Sequence, residues 1–237
     1  MVIYPAIDIR GGKVVRLMHG DPDQQTIYSD DPVATAIKWK NAGAKWLHVV
    51  NLDGALGEDS LILNIVRQLS NTGMAVQFGG GLRTLDAAAQ ALQAGASRVV
   101  LGTMVVKEPE LAREAVDRFG AEAVLVALDA RGDKVTTHGW QEVSQWTPVD
   151  LGKKFYADGV RHALYTDVSR DGDLSGVNVA STANLAIETE LEVIASGGVA
   201  TLQDLTKLKA TGRVSGVIIG RALYSGAFRL EDAVKLA

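Results

Sequence analysis

Short apolar runs alternate with amphipathic stretches along the whole chain, the pattern of a parallel sheet whose strands are joined by helical crossovers. The apolar runs predict strands at 2–7, 46–51, 75–78, 98–101, 123–128, 161–166, 192–195 and 216–219. Between them lie helix signals. Asp31-Pro32 offers an N-cap and a proline at the first helical position, and the helix through Ala34, Ile37 and Lys38 stops at Asn41-Ala42-Gly43. Thr84 and Thr201 are placed to cap helices Leu85–Ala94 and Leu202–Lys209, and Pro109 and Pro148 open two more. Eight strands, each followed by a helix, predict an α/β fold of the (β/α)8 TIM-barrel type. The competing doubly wound open sheet would carry a G-x-G-x-x-G turn after its first strand, and none is present. Pro5 fits badly inside the first strand, where it removes a ladder hydrogen bond, so a local irregularity is expected there.

The pattern is also written twice. Residues 6–14, Ala-Ile-Asp-Ile-Arg-Gly-Gly-Lys-Val, return at 127–135 as Ala-Leu-Asp-Ala-Arg-Gly-Asp-Lys-Val, which matches Asp8 to Asp129. Gly79-Gly80-Gly81-Leu82-Arg83-Thr84-Leu85 returns as Gly197-Gly198-Val199-Ala200-Thr201-Leu202, and Val99-Val100-Leu101-Gly102-Thr103 as Val217-Ile218-Ile219-Gly220-Arg221. Short periods would suggest a solenoid. A period of half the chain suggests two half-barrels, about 1–120 and 121–237, fused into one domain spanning 1–237.

Composition narrows the class. Hydrophobic residues make up 47% of the 237 and charged ones 22%, as in an ordinary globular protein. Absence of cysteine removes disulfides, thiolate metal sites and thiol nucleophiles. No apolar run approaches a membrane span, and Met1 leads into a core strand with no export signal, so the cytoplasm is the expected location. The net charge of −4, with no basic run, argues against nucleic acid and means that any anionic ligand must be held by local donors.

In a barrel of this type the chemistry sits at the C-terminal ends of the strands, where Asp8, Asp129 and Asp167 fall. A lone Asp at a strand end is more often a cap. The first and fifth strands face each other across an eight-strand ring, however, so Asp8 and Asp129 recur in one context and look at one another over the mouth. Two such acids suit a reaction needing a proton acceptor and a proton donor. Gly80-Gly81, Gly102-Thr103, Gly197-Gly198 and Gly220-Arg221 each follow a strand and precede a helix, exposing backbone N–H groups to an anion. Tight turns are the commoner use of such glycines. Their placement after strands three, four, seven and eight nevertheless predicts two opposed phosphate sites, hence a ligand with a phosphate at each end. Arg83 adds a charge near one of them, and Trp140 is placed to stack on a planar ring or simply to pack in a lid. His19, His48, His138 and His162 lack metal-ligand spacing, so neither metal nor cofactor is assigned, and His48 is read as packed. Met18-His19-Gly20-Asp21-Pro22-Asp23 reads as a lid beyond the first strand.

With these residues in hand, the chain closely resembles the half-barrel family of histidine biosynthesis, specifically its isomerases of phosphoribosylformimino-aminoimidazole carboxamide ribotide. The likeness covers essentially the whole length. It rests on Pro5-Ala6-Ile7-Asp8-Ile9, Val15-Arg16-Leu17, His48-Val49-Val50, Leu52-Asp53-Gly54-Ala55, Gly79-Gly80-Gly81-Leu82-Arg83, His138-Gly139-Trp140, Thr166-Asp167 with Asp171-Gly172, Ser196-Gly197-Gly198 and Ile219-Gly220-Arg221-Ala222-Leu223. The resemblance implies a metal-free, cofactor-free Amadori rearrangement of an aminoaldose to an aminoketose in a bis-phosphorylated substrate. It implies Asp8 as the base at C2, Asp129 as the acid that opens the ribose ring, and Asp167, beside Thr166, as a rival for that acid. Asn51 stands where the family commonly has Asp. The cyclase relatives typically have Cys where this chain has Ala6. Bifunctional relatives that also isomerise phosphoribosylanthranilate usually have Arg at the position of His138, and dedicated phosphoribosylanthranilate isomerases use a Cys base. The remaining alternatives are that second activity, or a non-catalytic barrel that senses a bis-phosphate metabolite. A monomer is expected.

Overall fold

The computed structural model describes residues 1–18, 20–57 and 62–237. Its strands are β1 Val2–Arg10, β2 Lys13–Met18, β3 Asp21–Ser29, β4 Trp46–Asn51, β5 Ala75–Gly79, β6 Arg98–Leu101, β7 Val124–Arg131, β8 Lys134–Thr137, β9 Glu142–Val143, β10 His162–Asp167, β11 Glu192–Ser196 and β12 Val214–Ile219. The helices are α1 Pro32–Asn41, α2 Leu52–Ala55, α3 Leu63–Ser70, α4 Leu85–Gln93, α5 Thr103–Lys107, α6 Glu110–Phe119, α7 Pro148–Ala157, α8 Val179–Thr189, α9 Leu202–Ala210, α10 Arg221–Tyr224 and α11 Leu230–Leu236. Parallel pairing runs β1-β4-β5-β6-β7-β10-β11-β12 and returns from β12 to β1, which closes an eight-stranded barrel ringed by helices and disposes of the open sheet.

Caps mark the helix starts expected at Asp31, Thr84 and Thr201. Asp31 accepts from the N–H groups of Val33 and Ala34 ahead of Pro32, Thr84 accepts from Ala87, and Thr201 with Asp204 forms a capping box. The irregularity expected at Pro5 is not found there. Pairing of β1 with β12 ends at Pro5 and pairing with β4 begins at Ala6, so the proline falls where the strand changes partner. Among the barrel pairings a register shift lies between Val193 and Ile194 on β11, and the β2–β3 hairpin has two more, at Val14/Val15 and Leu17/Met18.

Side chains alternate across each strand. Ile7, Val49, Phe78, Leu128 and Ala163 point outward into the large core beneath the helices. Tyr4, Ala6, Val100, Leu125, Ala127, Leu164, Ile194 and Ile218 fill the barrel interior. Below them the N-terminal end is plugged: Tyr4 packs on Trp46 with ring centroids 5.6 Å apart, Arg98 lies over the same Trp, and its guanidinium reaches His162 at 3.1 Å. His162 in turn touches Glu122 and Glu192. Interior packing and plug leave the barrel open at one end.

Two strands run further than their sequence suggests. β1 and β7 continue past Asp8 and Asp129 and turn back as antiparallel hairpins, β1–β2 and β7–β8. The repeated Arg-Gly-x-Lys is therefore a two-residue hairpin turn, with Gly11 and Gly12 both at positive φ in one copy and Gly132 alone in the other. The proposed lid is the tip of the β2–β3 hairpin rather than a loop; His19 at that tip lies outside the described residues.

Candidate active site

A cavity of about 600 Å³ occupies the open end. The inward series on β1 runs Tyr4, Ala6, Asp8, and that on β7 runs Leu125, Ala127, Asp129, so alternation delivers both acids to it. On β10 the inward series is Leu164, Thr166, and the next residue, Asp167, faces out. Thr166 accordingly lines the cavity and Asp167 does not. Its carboxylate accepts from Ser169 N–H at 3.2 Å, Ser169 Oγ at 2.6 Å and Asn178 Nδ2 at 2.8 Å, with Arg170 Nε at 3.3 Å. Asp167 thus caps the turn 168–170, and the cavity carboxylate of this loop is Asp171. Asn51, in the matching place at the end of β4, likewise precedes a short helix and lies outside the cavity lining.

The two cavity acids are held differently. Asp8 Oδ2 pairs with Arg16 Nη1 at 2.6 Å, both side chains nearly closed off. Burial pushes the Asp8 carboxyl up to about 6, against the pull of Arg16 and with a smaller push from Asp171. Asp129 accepts from Trp140 Nε1 at 2.9 Å. Burial raises it too, opposed by hydrogen bonds from Thr166 and Trp140, with Asp171 adding a further upward push. Trp140 is therefore a donor to the acid; the backbone that presents it is unusual, since His138, Gly139 and Trp140 all sit at positive φ, 54°, 61° and 69°. For a bulky residue that conformation costs of order 1–3 kcal/mol and persists only where surroundings impose it. Here the tip of the β2–β3 hairpin meets the ring: a Cβ on Gly20 would lie 2.7 Å from it. On the cavity floor, His48 is buried and pushed down to about 3 by burial and then by Arg16, so it is neutral; Gln77 Nε2 stands 2.9 Å from its Nδ1.

The glycines are brought together as two matched pairs. Gly102 and Gly220 share almost one backbone conformation, φ/ψ −110°/−106° and −105°/−102°. Gly81 presses on the backbone of Gly54, where a Cβ would come within 2.7 Å of its Cα, and Gly198 on Gly176, within 2.5 Å of its carbonyl oxygen. Both lie at positive φ, so a larger residue is excluded twice over. Gly80, Gly81, Arg83, Gly102, Thr103, Gly197, Gly198, Gly220 and Arg221 all line the cavity, as does Trp140. The helices that follow Gly102 and Gly220, α5 and α10, have five and four residues, so a helix dipole offers an anion little. Three side-chain cations line the cavity beside the turns: Arg83, which donates to the Gly54 carbonyl, Lys107 on α5, and Arg221, which donates to the Gly172 carbonyl.

Arg16, Lys107 and Asp171 were not singled out as site residues in the sequence. Arg16 sits on β2, a strand whose signal was the Gly11-Gly12 pair between two apolar runs. Asp171 stands one turn beyond the strand end. No local signal marks Lys107.

Residues 2–229 match the family model described as histidine biosynthesis protein. Among curated relatives, a protein of Methanosarcina barkeri is 46% identical over 98% of this chain and 96% of its own length. One of Moorella thermoacetica is 45% identical over 100% and 98%, and one of Paracoccus denitrificans 44% identical over 99% of both. All three carry the name 1-(5-phosphoribosyl)-5-((5-phosphoribosylamino)methylideneamino)imidazole-4-carboxamide isomerase.

Proposed function

Because this chain belongs to the histidine biosynthesis protein family, we propose that it is the aldose–ketose isomerase that converts phosphoribosylformimino-aminoimidazole carboxamide ribonucleotide to its phosphoribulosyl isomer. The observation that carries the assignment of roles is the pair Asp8 and Asp129 on opposed strands of one cavity, between two matched glycine turns. Asp129, raised by burial, enters as the acid and protonates the ribose ring oxygen; the C1–O bond breaks and the exocyclic nitrogen lone pair closes a C1=N imine. Asp8, kept anionic near neutrality beside Arg16, removes the C2 proton, and its electrons form the C1=C2 enolamine. Protonation at C1 and loss of the C2 hydroxyl proton give the ketose. Asp167 holds its loop and leaves the acid role to Asp129, whose hydrogen bonds from Thr166 and Trp140 orient it.

Gly81, Gly102 and Thr103 receive one phosphate in this reading, and Gly198, Gly220 and Arg221 the other. Gly80 and Gly197 set the two turns and Arg83 supports the first. A crystal grown in sulfate should show an anion at both, and empty turns at high sulfate would count against the assignment. A sensor barrel would need the glycine turns but gives the paired acids no work. His138, in place of the Arg usual in bifunctional relatives, disfavours phosphoribosylanthranilate as a second substrate. We read the chain as one domain of two half-barrels, acting as a cytoplasmic monomer on a small bis-phosphate rather than on nucleic acid or a membrane. Among the described residues no helix is long and apolar enough to cross a membrane. The deciding experiment is an absorbance assay with the histidine-pathway aminoaldose beside its anthranilate analogue. Turnover of the first is expected, and binding without turnover would leave a sensor.

A further inference from the structure

Two matched turns that each receive a phosphate should each carry a cation, because a phosphate brings about −1.5 to −2 charge into a protein of net charge −4. The second turn has Arg221 at the first position of α10. The equivalent first position of α5 is Thr103, which has no charge and whose Oγ1 already accepts the His138 backbone N–H at 2.9 Å. Arg83 also lines this side, donating to the Gly54 carbonyl at 3.3 Å much as Arg221 donates to the Gly172 carbonyl at the other turn. The start of α5 is therefore the position that lacks a cation.

Lys107 lies four residues beyond Thr103, hence on the same face of α5, and lines the cavity. Its Nζ stands 2.9 Å from His138 Nε2. An ammonium can only donate, so Nε2 presents its lone pair and the ring proton sits on Nδ1, which faces Glu142 Oε2 at 2.9 Å and Thr137 Oγ1 at 3.1 Å. The imidazole is thereby fixed as a neutral acceptor. Among the described residues no carboxylate is in ion-pair contact with Lys107, although Glu108 lines the same rim. A neutral acceptor is a weaker partner for an ammonium than a phosphate oxygen. The contact with His138 is one that an arriving phosphate can displace.

We propose that Lys107 is a cation of the Gly81–Gly102–Thr103 turn, held by His138 and transferred to the substrate's phosphate on binding. Lys107 thereby makes the site select a doubly phosphorylated ligand over a singly phosphorylated one. The proposal rests on the isomerase reading for its substrate, and its test separates the two. Wild type, Lys107→Met and Lys107→Arg are compared on the bis-phosphate and on the two analogues that each lack one phosphate, with KM and kcat from turnover and Kd from calorimetry. Lys107→Met should raise KM and Kd for the bis-phosphate about tenfold while kcat stays within about twofold. The same factor should appear with the analogue that keeps the phosphate at this turn and vanish with the analogue that lacks it, and Lys107→Arg should restore most of the loss. Equal losses on all three ligands, or none on any, would overturn the proposal. Should the wild type turn nothing over, the isomerase reading fails, and the Kd pattern still decides for or against Lys107.

Discussion

The two copies of the repeat place an acid at matching strand positions and differ in what touches it. Asp8 is gripped by a buried guanidinium at 2.6 Å, whereas Asp129 is held by an indole N–H at 2.9 Å. The flanking turns repeat the contrast, with Gly102 and Gly220 nearly superimposable in φ and ψ but followed by Thr103 in one case and Arg221 in the other. The repeated motif supplies two matching positions, and their neighbours make them unequal. Asp8 faces a charged partner, which favours the carboxylate a base needs, whereas Asp129 is raised by burial and receives neutral donors that orient it.

The sharpest way to break that comparison is to neutralise each acid. Asp8→Asn should bind the bis-phosphate yet lower kcat by at least about 10²-fold, and near-normal turnover would remove Asp8 from the base role. Asp129→Asn should fall by a comparable factor of about 10², and steady-state rates for Asp171→Asn beside it would show whether the third cavity carboxylate shares the proton.

The pH dependence sharpens the picture at Asp8. Since its carboxyl is pushed up to about 6, kcat/KM should rise through an acid limb near that value, and Arg16→Met, which removes the downward pull, should move the limb to higher pH. The same elevation acts on stability. Between the ordinary 3.8 and about 6 the native state binds the Asp8 proton more tightly than the unfolded chain does. Stability from this group is then greatest below that window and declines as pH rises through it. Thermal melts across the window should show a flatter decline in Asp8→Asn.

Smaller effects are expected at the turns and at the loop. Gly198→Ala forces a Cβ toward the Gly176 carbonyl at positive φ and should weaken binding of the bis-phosphate and lower Tm; Gly81→Ala should act alike, and calorimetry on both tests the equivalence of the turns. Asp167→Asn should cost about 1 kcal/mol in denaturant unfolding through its cap, with kcat changed only a few-fold. A drop matching Asp129→Asn would return Asp167 to the acid role.

Much of this was legible in the chain. Six of the eight barrel strands fall within a residue or two of their apolar runs, because buried parallel strands read as continuous Val/Ile/Leu segments, and β1 and β7 overrun theirs by three residues into hairpins. Strands β2, β3, β8 and β9 have no apolar run of comparable length, and their signal is the hairpin turn in Arg10-Gly11-Gly12-Lys13 and its copy, which the acids just before it obscure. Parity explains the difference between Thr166 and Asp167: counting by twos from the interior residue Leu164 reaches Thr166, and a strand end alone does not say which face a side chain takes. Lys107 meets His138, and Gly20 meets Trp140, only through closure of the barrel, so no window of sequence holds either pair.

The seal of Tyr4, Trp46, Arg98 and His162 has a kinetic corollary. With its base shut, the pot opens at one end among the described residues, so incoming aminoaldose and outgoing ketose share that doorway. That doorway is bordered by Gly20, which packs against the Trp140 indole.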